Sequence, residues 1–108
     1  MTQWDVFEVA LELVRCLREA VAVLARHDGE LASQVRRAAS SVPLNLAEGR
    51  RRVGKDRLHL WRVAAGSADE VRAALRVAGA WGYLGTEALA GPLGLTDRVL
   101  AMTYRLTR

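Results

Sequence analysis

The sequence predicts an all-α fold: an antiparallel, up-down-up-down four-helix bundle in which residues 1–108 form one domain. Three observations predict it. Ala, Leu, Val and Arg dominate and proline appears only twice, which is a helical composition. Apolar residues recur at helical spacing in four successive segments. Short turn signals separate those segments, and short connections make neighbouring helices antiparallel.

In the first segment Phe7, Val14 and Val21 recur at seven, interleaved with Ala10, Leu17 and Leu24. Asp5, Glu8, Glu12, Arg15, Arg18 and Glu19 fall outside that stripe, and Trp4 is placed to dock the start of the helix. Asp28-Gly29 ends it near Arg26–His27, with His27 a partner of the helix dipole. The second helix starts about Glu30 and runs towards Gly49, with Leu31, Val35, Ala38, Val42 and Leu46 as its stripe. Pro43 lies inside it, where the ring crowds the carbonyl of Ala39 at a cost of about 3 kcal/mol. Ser40 and Ser41 are expected to take up freed backbone groups, and Gly49 to close the helix in a left-handed conformation.

The third helix follows Gly54. One row comprises Leu58, Trp61, Ala65, Ala68, Val71 (or Arg72), Leu75 and Ala78. A second row, Leu60, Val63, Ser67, Ala74, Val77 and Trp81, lies beside it. Apolar cover on more than one face predicts a contact beyond a single bundle core. Gly66, among small neighbours, is expected to allow close helix packing, and Trp61 and Trp81 to serve as core or interface anchors. Gly79, Gly82, Tyr83, Leu84 and Gly85 form the next link, and Thr86 suits the N-cap of the fourth helix. That helix carries Leu89, Leu93, Val99, Met102 and Leu106. Gly91-Pro92 and Gly94 predict an early break, with the strong helix beginning near Pro92 or Leu95.

Charge narrows the functional classes. Within a chain of net +4, residues 36–57 carry Arg36, Arg37, Arg50, Arg51, Arg52, Lys55 and Arg57 against only Glu48 and Asp56. Such a segment can neutralise phosphates of RNA or DNA; it can also be a solvated helix end that complements the dipole. No apolar run reaches the roughly 18 residues of a membrane span, and no secretory signal is evident. Cys16 is the single cysteine and reads as a small apolar residue, so a cytoplasmic location is expected.

Chemistry is poorly represented. Ser41, Asn45, Glu48, Ser67 and Glu70 are read as a buried hydrogen-bond network fixing helix register, in preference to an active site. On that reading Glu48 reaches backbone groups loosened by Pro43, and Glu48→Ala lowers thermal stability. Asp56-Arg57-Leu58-His59 is the nearest approach to a di-iron motif and stands alone; no phosphate loop, nucleophile elbow or zinc spacing appears. No catalytic residue, metal or cofactor is assigned.

Gln34-Val35-Arg36-Arg37-Ala38-Ala39, followed by Ser41-Val42-Pro43-Leu44-Asn45-Leu46-Ala47-Glu48-Gly49, resembles the signature of a bacterial four-helix-bundle family. Its members include proteins encoded in intervening sequences of large-subunit ribosomal RNA genes. Ala65-Gly66-Ser67-Ala68-Asp69-Glu70 is similar to its second motif, and Gly82-Tyr83-Leu84 to the turn before its last helix. Arg57, where the family usually has an aromatic residue, and Gly91-Pro92 depart from the pattern. The resemblance implies a ring-shaped homopentamer. It also brings in the accessory variability determinants of diversity-generating retroelements, which share the fold and bind nucleic acid and a reverse transcriptase. Two functions stay open: a nucleic-acid-binding accessory protein, or a structural oligomer or interaction scaffold without a nucleic-acid partner.

Overall fold

The computed structural model describes residues 3–108; Met1 and Thr2 of the expected 1–108 domain lie outside the described residues. Four helices follow one another: α1 (Gln3–His27), α2 (Gly29–Arg50), α3 (Gly54–Trp81) and α4 (Thr86–Thr107). Each packs on its neighbours in sequence, and α1 closes the square against α4. The bundle is elongated, 42 × 24 × 20 Å.

The connections are as tight as the turn chemistry demands. Asp28 alone separates α1 from α2. Its extended backbone breaks the first helix, and its carboxylate accepts from Leu31 N at 3.0 Å to cap the second. At the end of α3, Gly82 takes φ +80°. Its N–H bonds to the carbonyl of Gly79 at 3.0 Å, and the N–H of Tyr83 bonds to that of Ala78 at 2.9 Å. That pair of bonds is a Schellman closure, and the left-handed residue it requires is cheapest as glycine. Gly79 therefore lies within the helix, not in the link. Gly85, not Thr86, occupies the N-cap of α4.

The core face of α1 is rotated from the expected stripe. Val6, Val9, Ala10, Leu13, Leu17, Ala20 and Leu24 are buried, whereas Phe7, Val14 and Val21 are half-buried along its flank. Burying a face against two helices needs a band wider than a seven-residue repeat, and the band centres on Leu13. Val35, Val42, Val71, Leu75 and Val99 complete the interior. Thr96 and Thr103 of α4 are also fully buried. Their hydroxyls donate to the carbonyls of Pro92 at 2.6 Å and Val99 at 2.9 Å, so neither enters the core unsatisfied.

Both internal prolines are carried without a break. Helix α4 is continuous through Gly91-Pro92 and Gly94, contrary to the expected interruption. Pro92 is buried, while Ala88, whose carbonyl would have bonded residue 92, is exposed on the outer side of the turn. The freed carbonyl thus has access to water, and ring burial offsets part of the cost. Pro43 is likewise buried within α2. Ser40 is exposed and Ser41 turns elsewhere, so neither serves the Ala39 carbonyl as expected.

Gly49 has a different reason from the one its position suggests. It is helical, and the C-cap is Arg51 in a right-handed conformation. A Cβ at Gly49 would fall 2.6 Å from Cδ1 of Trp61, so the glycine lets the indole lie on the α2 backbone. Gly66 shows the reverse: it is exposed, and an added Cβ would meet nothing within 4 Å. Its expected close packing is not made within this chain. Trp61 is a core anchor at 5 % exposure, whereas Trp81 is 69 % exposed and outside the core.

Candidate nucleic-acid interface

Antiparallel topology brings four chain segments to one end of the bundle. The start of α1, the end of α2, the start of α3 and the end of α4 meet there. Arg50, Arg51, Arg52 and Lys55 come from the α2–α3 connection and are all exposed. Arg62 joins them from the third turn of α3, and Arg105 and Arg108 from the end of α4. The basic end is therefore larger than the contiguous run of sequence implies.

Several of these cations are held in place. The Arg50 guanidinium lies 3.8 Å from the Trp4 ring centroid, and Trp4 stacks on Phe7 at 4.6 Å. The first turns of α1 thus supply an aromatic bed for an arginine of α2. Arg52 donates to Glu48 at 3.1 Å, an exposed pair one helical turn apart. Arg62 donates to the carbonyl of Thr107 at 3.4 Å, tying α3 to the last turn of α4. The Arg108 guanidinium sits 5.7 Å from the Tyr104 ring, and Tyr104 is 63 % exposed.

Arg57 belongs to the fold more than to the surface. It is half-buried, and its Nε and Nη2 donate to the carbonyls of Gly49 at 3.2 Å and Arg50 at 2.9 Å. The Gly49 carbonyl also accepts from Arg52 N at 3.0 Å, whereas the Arg50 carbonyl would otherwise end α2 unpaired. Trp61 Nε1 donates to the Leu46 carbonyl at 3.2 Å just beneath. An arginine at this position caps one helix from the next with two donors at once.

Arg36 and Arg37 are not part of this end. They sit about 20 Å up α2 at 1.5 Å per residue, with Arg36 on the rim of the groove between α1 and α2. Arg37 donates to Ser33 at 3.0 Å, and Arg36 shares the groove rim with Arg18 above Val14, Leu17 and Val21. The segment from 36 to 57 is thus two separate positive regions, because a helix spreads its residues along its length.

The expected polar network is smaller than the sequence implied. Asn45 Nδ2 donates to the Ser41 carbonyl and hydroxyl, both at 2.9 Å, and Ser67 donates to the same hydroxyl at 2.8 Å. This half-buried node joins α2 to α3. Glu48 is exposed and engaged with Arg52, not buried beneath Pro43. Glu70 is exposed and accepts from Gln34 at 3.4 Å, away from the node. A carboxylate keeps its hydration at this depth, so the short neutral groups alone are drawn inward.

Among the described residues, no group of three or more His, Cys, Asp or Glu side chains converges on a possible metal position. No helix among them is long and apolar enough to cross a membrane. Cys16 is half-buried between α1 and α4, and desolvation, followed by the charge of Glu12, pushes its thiol above the usual range. That is the opposite of the shift a nucleophile needs. His27 stacks on Tyr83 at 5.1 Å, at the far end of the bundle.

Trp4, Arg62, Tyr104, Arg105 and Arg108 stand at this end without any local mark in the sequence to place them there. Their signal is topological. Once four antiparallel helices are counted, the start of the first and the end of the last must lie beside the second turn.

A family profile described as 23S rRNA-intervening sequence protein matches residues 2–105. A search of solved structures returns a crystal structure of a protein of unknown function from the S23 ribosomal protein family of Bacteroides thetaiotaomicron. It is 16 % identical, with a TM-score of 0.86 over 95 % of this chain and 98 % of that one, a likeness of fold. Among curated proteins, none matches significantly by sequence.

Proposed function

The chain belongs to the 23S rRNA-intervening sequence protein family, and from that membership we propose a non-enzymatic, cytoplasmic accessory protein that binds RNA or DNA through the phosphate backbone. The observation that carries the reading is the convergence of Arg50, Arg51, Arg52, Lys55, Arg62 and Arg108 at one end of a narrow bundle. Guanidinium and ammonium groups so placed release counterions from a polyanion without reading its sequence. Arg36 on the α1–α2 groove and Arg37 beside it on α2 supply a second, weaker region. The specific form we propose is an accessory variability determinant that binds a reverse transcriptase as well as nucleic acid in a diversity-generating retroelement.

We further propose that the protein acts as a homo-oligomer, the homopentamer implied by the family resemblance. The supporting observation is the outward stripe of α3, where Val63, Gly66, Ala73 and Val77 are exposed or half-buried. That stripe also favours the second reading, an interaction scaffold without a nucleic-acid partner. In a ring the basic ends repeat by symmetry, so weak phosphate contacts add.

The test is a binding titration of the parent and of Arg50→Gln/Arg51→Gln/Arg52→Gln at several salt concentrations, with oligomer mass followed by sedimentation equilibrium. The variant is expected to keep the parent's mass and bind more weakly. Its salt slope should flatten by about 0.7–0.9 for each phosphate no longer neutralised. Absence of binding by the parent at low salt favours the scaffold. A parent that sediments only as an 11.9 kDa monomer removes the oligomer.

A further inference from the structure

The aromatic residues of the bundle are unevenly available. Trp61 is buried beneath the α2 terminus. Trp4 has Phe7 on one side and Arg50 within 3.8 Å, so its ring is already occupied. Trp81 and Tyr83 stack on each other at the opposite end, one α3 length away from the basic residues. Among the described Trp, Tyr and Phe residues, Tyr104 is the one at the basic end with most of its surface in water, at 63 % exposure.

The turn that carries Tyr104 is tied to its neighbours by hydrogen bonds. The last turn of α4 is anchored from within by Thr107, whose hydroxyl donates to the Thr103 carbonyl at 2.8 Å. It is anchored from α3 by Arg62, which reaches the Thr107 carbonyl at 3.4 Å. The Arg108 guanidinium lies 5.7 Å from the ring centroid, farther than the 3.8 Å of Arg50 from Trp4, and no other ring stacks on Tyr104 among the described residues. A flat, exposed ring with guanidinium groups close by matches a nucleotide in its two parts. The ring meets a base face, and the guanidiniums meet the adjoining phosphates. Stacking requires a base that is free of its neighbours, which a duplex does not present.

We propose that Tyr104 is a stacking platform and that the nucleic acid this end takes is single-stranded. The inference rests on the nucleic-acid reading above and adds the strand state and the residue that selects it. Most of the Tyr104 side chain is in water, so its removal leaves the bundle intact; Tyr104→Phe keeps the ring without the hydroxyl.

The experiment titrates a fluorescently labelled mixed-sequence 20-nucleotide RNA (on the order of one site length or more), single-stranded and as a blunt duplex, into the whole protein at two salt concentrations. Parent, Tyr104→Ala, Tyr104→Phe and Trp81→Ala are compared. Tyr104→Ala is expected to weaken single-strand binding about five- to hundredfold, the range of one missing base stack. Duplex binding and the salt slope should stay as in the parent, because no phosphate-neutralising group is removed. Tyr104→Phe and Trp81→Ala should bind as the parent does. Equal weakening on both strand states, or none on either, overturns the platform while leaving the phosphate reading in place. A parent that binds neither RNA overturns both.

Discussion

Replacing Gly49 by alanine tests the packing that sets the basic end in place. Alanine normally favours a helix over glycine by about 0.5–1 kcal/mol. Here the added Cβ would lie 2.6 Å from Cδ1 and 2.7 Å from Nε1 of Trp61, and 3.3 Å from Cβ of Leu60. Carbon atoms pack at roughly 3.5–4.0 Å, so the indole must retreat by about 1 Å. Trp61 is 5 % exposed and has little room to do so. Its retreat also stretches the 3.2 Å bond to the Leu46 carbonyl. Overpacking of this kind costs about 1–3 kcal/mol, and the strained hydrogen bond about 0.5–1.5 kcal/mol more. After the helix gain, the net loss is about 0.5–4 kcal/mol. For a domain of this size that lowers Tm by about 2–20 °C. Gly66→Ala is the internal control, since its Cβ meets nothing within 4 Å. It should raise Tm by a few degrees, the helix gain of about 0.5–1 kcal/mol alone. Thermal melts by circular dichroism at matched protein concentration read both. A Gly49→Ala variant melting at or above the parent would refute the close approach of Trp61. A Gly66→Ala variant that melts lower would show that α3 meets another chain there.

Two further predictions concern single side chains. Glu48→Ala should leave Tm within about 2–4 °C of the parent, because an exposed ion pair contributes about 0–1 kcal/mol; a larger drop would restore the buried role that its position in the sequence suggested. Cys16 should alkylate more slowly with iodoacetamide than a small-molecule thiol at neutral pH, since burial and then the charge of Glu12 raise its pKa and leave less thiolate. A thiol raised in the folded state contributes stability fully present below the unfolded value and lost as pH rises through the folded one. Cys16→Ser should therefore flatten the decline of Tm on the alkaline side, and an unchanged alkaline slope would count against that assignment.

The four helices were legible because their signals are local. Asp28-Gly29, Gly54 and the Gly82–Gly85 link mark turns through backbone preferences that hold wherever those residues stand. The helical stripes of α2 and α3 could be read in the same way, down to Val35, Val42, Val71 and Leu75. What failed were inferences about reach. Pro92 does not break α4, because Pro92 is buried while Ala88 is exposed; whether a proline is tolerated depends on what lies opposite it. Gly49 and Gly66 look alike in sequence and differ only in whether Trp61 arrives from another helix. Glu48 and Asn45 are three residues apart, yet one remains in water and the other bonds to Ser41.

The candidate interface divides along the same line. That the α2–α3 connection is strongly basic could be known from the residues alone, since charge is a property of composition. Which charges act together depends on how the helices pack. Antiparallel packing carries Trp4, Arg62, Tyr104 and Arg108 to that connection from segments as distant as the two ends of the chain. The same packing assigns Arg57 to the carbonyls of Gly49 and Arg50, and the rise of α2 leaves Arg36 and Arg37 elsewhere. The physical reason is range. Helix propensity and capping act over a few residues, whereas a phosphate-binding surface depends on distances in space that the bundle alone sets.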